Sequence, residues 1–291
     1  MNDYSWRTVV VDSPSALSYE NGNVVYKAEE VKITPLSQIR SIIINNNTSE
    51  ISVKLINELC RNNVNVIICD EKHEPFGELM SVYSHSECAG KIIEQSNWTD
   101  RSKQAVWKQI VEQKIGNQIN LLKIFEIPSS DILTECKNNV LPFDRSNREG
   151  LAARVYFNSL FGKSFSRRND CGINSALNYG YALIQSAFSR AVAAHGYHTA
   201  LGIKHCSIKN RYNLSCDLME PFRPFIDKKV YENKNRPLDY EYKRELIEFL
   251  QSDVRYGTKR MNICDAADRY TCDVLKAMKE PEHKIREVGF Y

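Results

Sequence analysis

The spacing of hydrophobic positions changes once along this chain. Up to about residue 83 apolar residues alternate or run in short blocks bounded by turn residues, as strands do. Arg7-Thr-Val-Val-Val-Asp12 is a β-branched run, and Ile39-Arg-Ser-Ile-Ile-Ile-Asn45 and Val64-Asn-Val-Ile-Ile-Cys69 read as strands. Ala16-Leu-Ser-Tyr-Glu20 and Val24-Val-Tyr-Lys27 flank Asn21-Gly22, which predicts a hairpin because both central residues tolerate positive φ. Phe76 to Tyr83 reads as a returning strand, and one short helix is expected from about Ser49 through Leu59.

From about Ser84 the period lengthens to 3.6. Trp107, Ile110, Val111, Ile115, Ile119 and Leu122 form one stripe within a helix spanning 96–127, which Pro128 ends. Further helices are expected through Cys136, from near Arg145, over 174–195 with Gly196 as its terminator, after Pro237 and after Gly257. The expectation is an α+β chain: a β-rich N-terminal domain over residues 1–90, then a larger all-helical domain over 91–291.

At 291 residues the chain is long enough for a sizeable core. No apolar run approaches the roughly 20 residues of a membrane span. The first residues are polar, and nine scattered cysteines form no Cys-x-x-Cys pair. Reduced thiols and a cytoplasmic location are therefore expected. The net charge of +3 is small, but its distribution is uneven: residues 1–90 carry a net −5 and the remainder a net +8. A basic C-terminal part suits a polyanionic substrate, although a solvated surface of uneven charge gives the same count.

The candidate chemistry lies in that basic part. His205 is followed at twelve residues by Asp217 and at fifteen by Glu220, and Glu149 stands upstream. On a helix, Asp217 and Glu220 would be neighbours across a turn. Pro221 leaves open whether Glu220 sits at a kink or near a helix start. The Ala152-Ala153 pair would let another helix approach the segment carrying Glu149. Two carboxylates and an imidazole suit Mg²⁺ or Mn²⁺ better than zinc, since no thiolate pair accompanies them. Such a cation could polarise a phosphodiester and orient a hydroxyl for in-line attack. Basic residues flank the set: Arg145, Arg148 and Arg154; Lys163, Arg167 and Arg168; Lys204, Lys209, Arg211 and Arg223. They are candidates for phosphate contacts, or for pairing with the carboxylates themselves. No arrangement for nucleophilic catalysis stands out.

Four blocks carry a resemblance: Asn147-Arg-Glu-Gly-Leu-Ala-Ala-Arg-Val-Tyr-Phe157, Asn174-Ser-Ala-Leu-Asn-Tyr-Gly-Tyr181, Gly202-Ile-Lys-His205 and Asn213-Leu-Ser-Cys-Asp-Leu-Met-Glu-Pro-Phe-Arg-Pro224. With them the chain resembles, over its whole length, the CRISPR spacer-acquisition integrase family, and looks like its type II branch. The resemblance implies an N-terminal domain used in forming a homodimer. It also implies a helical domain in which Glu149, His205 and Glu220 hold the catalytic metal, with Asp217 a supporting acidic residue. Some branches have Asp where this chain has Glu220, which keeps the carboxylate and lengthens its reach. The implied activity is insertion of short DNA duplexes, prespacers, at the ends of a CRISPR repeat by attack of their 3′-hydroxyls. The implied partners are a small dimeric subunit and, in type II systems, the effector nuclease and a ring-shaped accessory protein. A structure-selective nuclease for branched DNA and a non-catalytic DNA-binding subunit are the alternatives.

Overall fold

The computed structural model describes residues 7–71, 73, 75–79, 86–128, 130–280 and 282–291. The chain divides into two compact units, residues 1–88 with 193–196, and residues 89–192 with 197–291.

The first unit holds two four-stranded sheets. One has the order β1 (Arg7–Val11), β5 (Ile39–Ile44), β7 (Asn65–Cys69), β8 (Pro75–Leu79). Its first three strands are parallel, and β8 returns antiparallel. The other has the order β4 (Val31–Pro35), β3 (Asn23–Lys27), β2 (Ala16–Glu20), β6 (Glu50–Ile51). The β2–β3 hairpin turns at Asn21 (φ 47) and Gly22 (φ 83), the double positive-φ turn its sequence asks for. Helix α1 (Val53–Arg61) begins later than the sequence pattern predicts, because Glu50 and Ile51 pair with β2 and Ser52 caps Leu55 N. Leu55 and Leu59 on α1 join Leu17, Ile39, Ile42, Val64 and Val66 in one apolar core. The returning strand stops at Leu79 among the described residues, and residues 80–83 of that expectation lie outside them.

The second unit is helical, with a small sheet added. Its helices are α2 (Cys88–Ser96), α3 (Asp100–Ile124), α4 (Ser130–Asn138), α5 (Arg148–Phe161), α6 (Gly172–Ala194), α7 (Asn213–Met219), α8 (Arg223–Glu232), α9 (Tyr240–Phe249) and α10 (Ile263–Lys279). The segment before α10 forms strands β9 (Asp253–Tyr256) and β10 (Lys259–Asn262), joined at Gly257 (φ 58), and β11 (Val288–Gly289) pairs with β9. This sheet has no counterpart in the sequence expectation; its strands are short and half charged, so neither period is visible in them. No helix among the described residues is long and apolar enough to cross a membrane.

Helix α3 is the axis of this unit. Its buried positions include Trp107, Ile110, Val111, Ile115 and Leu122 of the predicted stripe, and also Lys114, Asn117 and Gln118. Phe188 of α6, Tyr270 of α10 and Phe222, just after α7, pack edge to face, with centroids 5.0 to 6.4 Å apart. That cluster fixes the backbone between α7 and α8, two residues beyond Glu220.

Candidate active site

Glu149 owes its place to a constrained turn. Phe143 (φ 59), Asp144 (φ 47) and Asn147 (φ 50) all adopt left-handed backbone, at about 1–3 kcal/mol each for non-glycine residues. In return the buried Asp144 carboxylate accepts hydrogen bonds from Arg148 N (2.8 Å) and Glu149 N (3.0 Å), two of the open donors at the start of α5. Asn147, at the cap position, makes no such bond. Glu149 thus stands in the first turn of α5, facing α3. Lys204 ties this turn to the next part of the site by donating to the Phe143 carbonyl at 3.2 Å.

His205 lies on the loop before α7 and is held by Asp217. The Asp217 carboxylate is fully buried. It accepts hydrogen bonds from the backbone N–H of Ile203 (2.6 Å), Lys204 (3.0 Å) and His205 (3.1 Å), and from His205 Nδ1 (2.6 Å). Gly202 makes this possible: a Cβ there would collide with the His205 carbonyl and the Asp217 carboxylate. A carboxylate only accepts, so Nδ1 carries a proton, and in the neutral ring Nε2 is the remaining acceptor. Trp107 on α3 and the imidazole pack edge to face, with centroids 6.0 Å apart.

Glu220 keeps helical φ/ψ (−53°, −45°) as α7 passes into a turn of 3-10 helix over 220–222. Pro221 sits in the first turn of that segment, where a missing N–H is tolerated. Its carbonyl accepts from Asn117 of α3 at 2.8 Å, which locks the turn to α3. Glu220 is buried, and Arg223 Nε reaches its Oε1 at 2.9 Å.

Lys114 of α3 joins the carboxylates. Its Nζ lies 2.6 Å from Glu149 Oε1 and 2.5 Å from Glu220 Oε2, and its side chain is 10% exposed. The first contact has hydrogen-bond geometry; the second is an ion pair. Burial works to raise the Glu220 carboxyl, but Arg223 and Lys114 outweigh it and hold it at about 2. Burial likewise opposes the Lys114 ammonium, and Glu149 and Glu220 overcome that and raise it. The hydrogen bond to Asp217 raises the His205 imidazole against burial, with Glu220 and Glu149 acting in the same direction. Burial pushes Asp217 upward while its four donors favour its ionised form.

Arg223 also stacks over Tyr181 at 4.5 Å. Tyr181 and Tyr156 both donate to the buried Asp227, Tyr156 at 2.8 Å. Burial raises Asp227 to about 6, against the two tyrosine hydrogen bonds. Arg167 is bound to Asn174 and Asn178 and lies over Phe157 and Tyr181.

The structure therefore brings Glu149, Glu220, Asp217 and His205 into one region, with Glu149 and Glu220 sharing a cation from the protein. Among the described residues no three His, Cys, Asp or Glu side chains are gathered as a ready-made metal cluster; Lys114 lies where two of them meet. Of the basic candidates, Arg223, Arg167 and Lys204 have protein partners, and Arg148 is half-buried beside Cys136. Arg145, Lys163 and Arg168 are exposed. Sequence reasoning missed Lys114, Asn117, Asp144 and Asp227. A lysine and an asparagine on the apolar stripe of α3 were the available signal for the first two.

A profile of the family described as CRISPR associated protein Cas1 matches residues 9–245. The CRISPR-associated endonuclease Cas1 of Neisseria meningitidis serogroup C (strain 8013) is 32% identical over 229 residues, which cover 77% of this chain and 74% of that protein. A casposase bound to integration product has a similar fold, with a TM-score of 0.77 at 18% identity, over 96% of this chain and 92% of that one. A chain of a Cas6-RT-Cas1–Cas2 complex gives a TM-score of 0.74 at 18% identity over 99% of this chain, which spans 36% of that chain.

Proposed function

We propose, on the premise that the chain belongs to the CRISPR-associated Cas1 family, that it is a divalent-metal-dependent DNA integrase and endonuclease. It inserts prespacers into a CRISPR array by 3′-hydroxyl attack on phosphodiesters at the repeat ends. Its partners in this reading are a second copy of itself, a small dimeric subunit and duplex DNA. The type II assignment, with its effector nuclease and ring-shaped accessory protein, belongs to the same reading.

The observation that carries it is the meeting of Glu149 and Glu220 around one positive charge, beside an imidazole whose Nδ1 is committed to Asp217. Two hard oxygen donors and a neutral Nε2 fit Mg²⁺ or Mn²⁺. Glu149, Glu220 and His205 would hold the ion. When bound, it would supply charge stabilisation to a phosphodiester under in-line attack. The protein's own part is positioning. Asp217 fixes the imidazole, Asp144 fixes the start of α5, and Asn117 with the aromatic cluster fixes the turn carrying Glu220. Exposed Lys163, Arg168 and Arg145 are left to meet DNA phosphates.

An assay with a supercoiled repeat plasmid, a labelled duplex and the small partner subunit tests the reading. Joined product supports it. Cutting of branched DNA without joining replaces it with a structure-selective nuclease.

A further inference from the structure

Lys114 is out of place for a lysine. A charged side chain on the apolar stripe of a long helix is rarely this buried unless a partner compensates. Here there are two partners, Glu149 and Glu220, brought to it from α5 and from the turn after α7. Two carboxylates sharing a site repel, and without a cation between them one must take up a proton or move away. Arg223 serves Glu220 alone, through Oε1. Only Lys114 spans both carboxylates among the ion pairs of the described residues. Its Nζ contacts Glu149 Oε1 and Glu220 Oε2, and so occupies the space between the two carboxylates that would hold the cation.

We propose that Lys114 is a positioning residue that stands in for the divalent cation. Its ammonium keeps the metal-free site assembled, and it withdraws when the ion binds Glu149 and Glu220. This rests on the metal-dependent reading above. It goes further in assigning a role to a residue outside the donor set and in stating that metal entry is a cation exchange. Two consequences follow. The ammonium competes with the metal, so the wild-type affinity is weaker than the carboxylates alone would give. Metal binding also exposes an amine that is buried without it.

The test measures Mn²⁺ binding directly, by calorimetry and by the electron paramagnetic resonance signal of free Mn²⁺, on the full chain without DNA. Lys114→Met is expected to bind Mn²⁺ about tenfold tighter than wild type or better, a difference of about 1.4 kcal/mol. Lys114→Arg, which keeps the competing charge, should stay within about threefold of wild type. Glu220→Gln should lose the site. A second measurement needs no substitution at position 114. Lys114 acetylation by an N-hydroxysuccinimide ester, read by mass spectrometry, should be slow in EDTA and rise severalfold with saturating Mn²⁺. Glu220→Gln should abolish that rise. If wild type binds no Mn²⁺ saturably, the metal-dependent reading itself falls and this inference with it. If wild type binds but Lys114→Met binds no tighter, only the exchange is overturned. If Lys114→Met does not fold, the acetylation decides: equal protection with and without Mn²⁺ overturns the proposal.

Discussion

Asp217 grips His205 twice, accepting from its ring Nδ1 at 2.6 Å and from its backbone N–H at 3.1 Å. One carboxylate thereby sets both the path of the loop and the tautomer of the imidazole. Four protein donors surround the Asp217 carboxylate; on the proposed metal-dependent reading it presents His205 to the ion rather than binding the ion itself.

Replacing this carboxylate by an amide removes the anion but keeps the volume. Asp217→Asn should lower the His205 pKa, because the hydrogen bond to Asp217 is the main cause of its rise. It should also weaken Mn²⁺ binding by about 10- to 100-fold. Nuclear magnetic resonance titration of the histidines and Mn²⁺ calorimetry check both. Unchanged Mn²⁺ affinity would remove Asp217 from the account.

Asp227 makes stability depend on pH in an unusual direction. In the folded protein its carboxyl holds a proton up to about 6; in the unfolded chain it releases it at about 3.9. Between these values the folded state binds the extra proton, so this group's contribution to stability falls as pH rises. Denaturant unfolding of wild type and Asp227→Asn should show it. The wild-type advantage should shrink by on the order of 2–3 kcal/mol between pH 4 and pH 7. A difference independent of pH would reject the raised carboxyl.

The basic residues separate into two kinds. Lys163 and Arg168 are exposed, whereas Arg167 is fastened to Asn174 and Asn178 and stacked on two aromatic rings. Lys163→Glu with Arg168→Glu should weaken duplex binding and flatten its salt dependence by about one unit for every phosphate that is no longer neutralised. The melting temperature should hold. Arg167→Ala should lower the melting temperature instead. Fluorescence anisotropy over a salt series with thermal melts distinguishes them; an unchanged salt slope in the double variant would show that these two side chains do not meet the DNA.

Sequence and structure agree best where a residue's chemistry is local. Asn21-Gly22 announces its turn because few residue pairs accept that backbone. Glu149, His205 and Glu220 are recognisable through the motifs around them. The partners that aim them are hidden because each acts across the fold. Lys114 is 35 residues from Glu149 and 106 from Glu220. Asp144 caps α5 from beyond its formal cap position, through left-handed backbone at three residues that are not glycine. The proline after Glu220 leaves two geometries open, and Asn117 on a distant helix decides between them by holding the Pro221 carbonyl.

What the proposed function most depends on is cation-dependent strand transfer at Glu149, His205 and Glu220. Its most direct measurement is joining of a labelled duplex to a repeat-bearing plasmid, with the partner subunit and Mn²⁺, by wild type and Glu149→Ala. Wild type should join the duplex, and EDTA should abolish the joining. Joining by Glu149→Ala should fall by about a thousandfold or more while the variant still binds duplex within about threefold of wild type. Joining by Glu149→Ala at the wild-type rate, or joining that persists in EDTA, would contradict it.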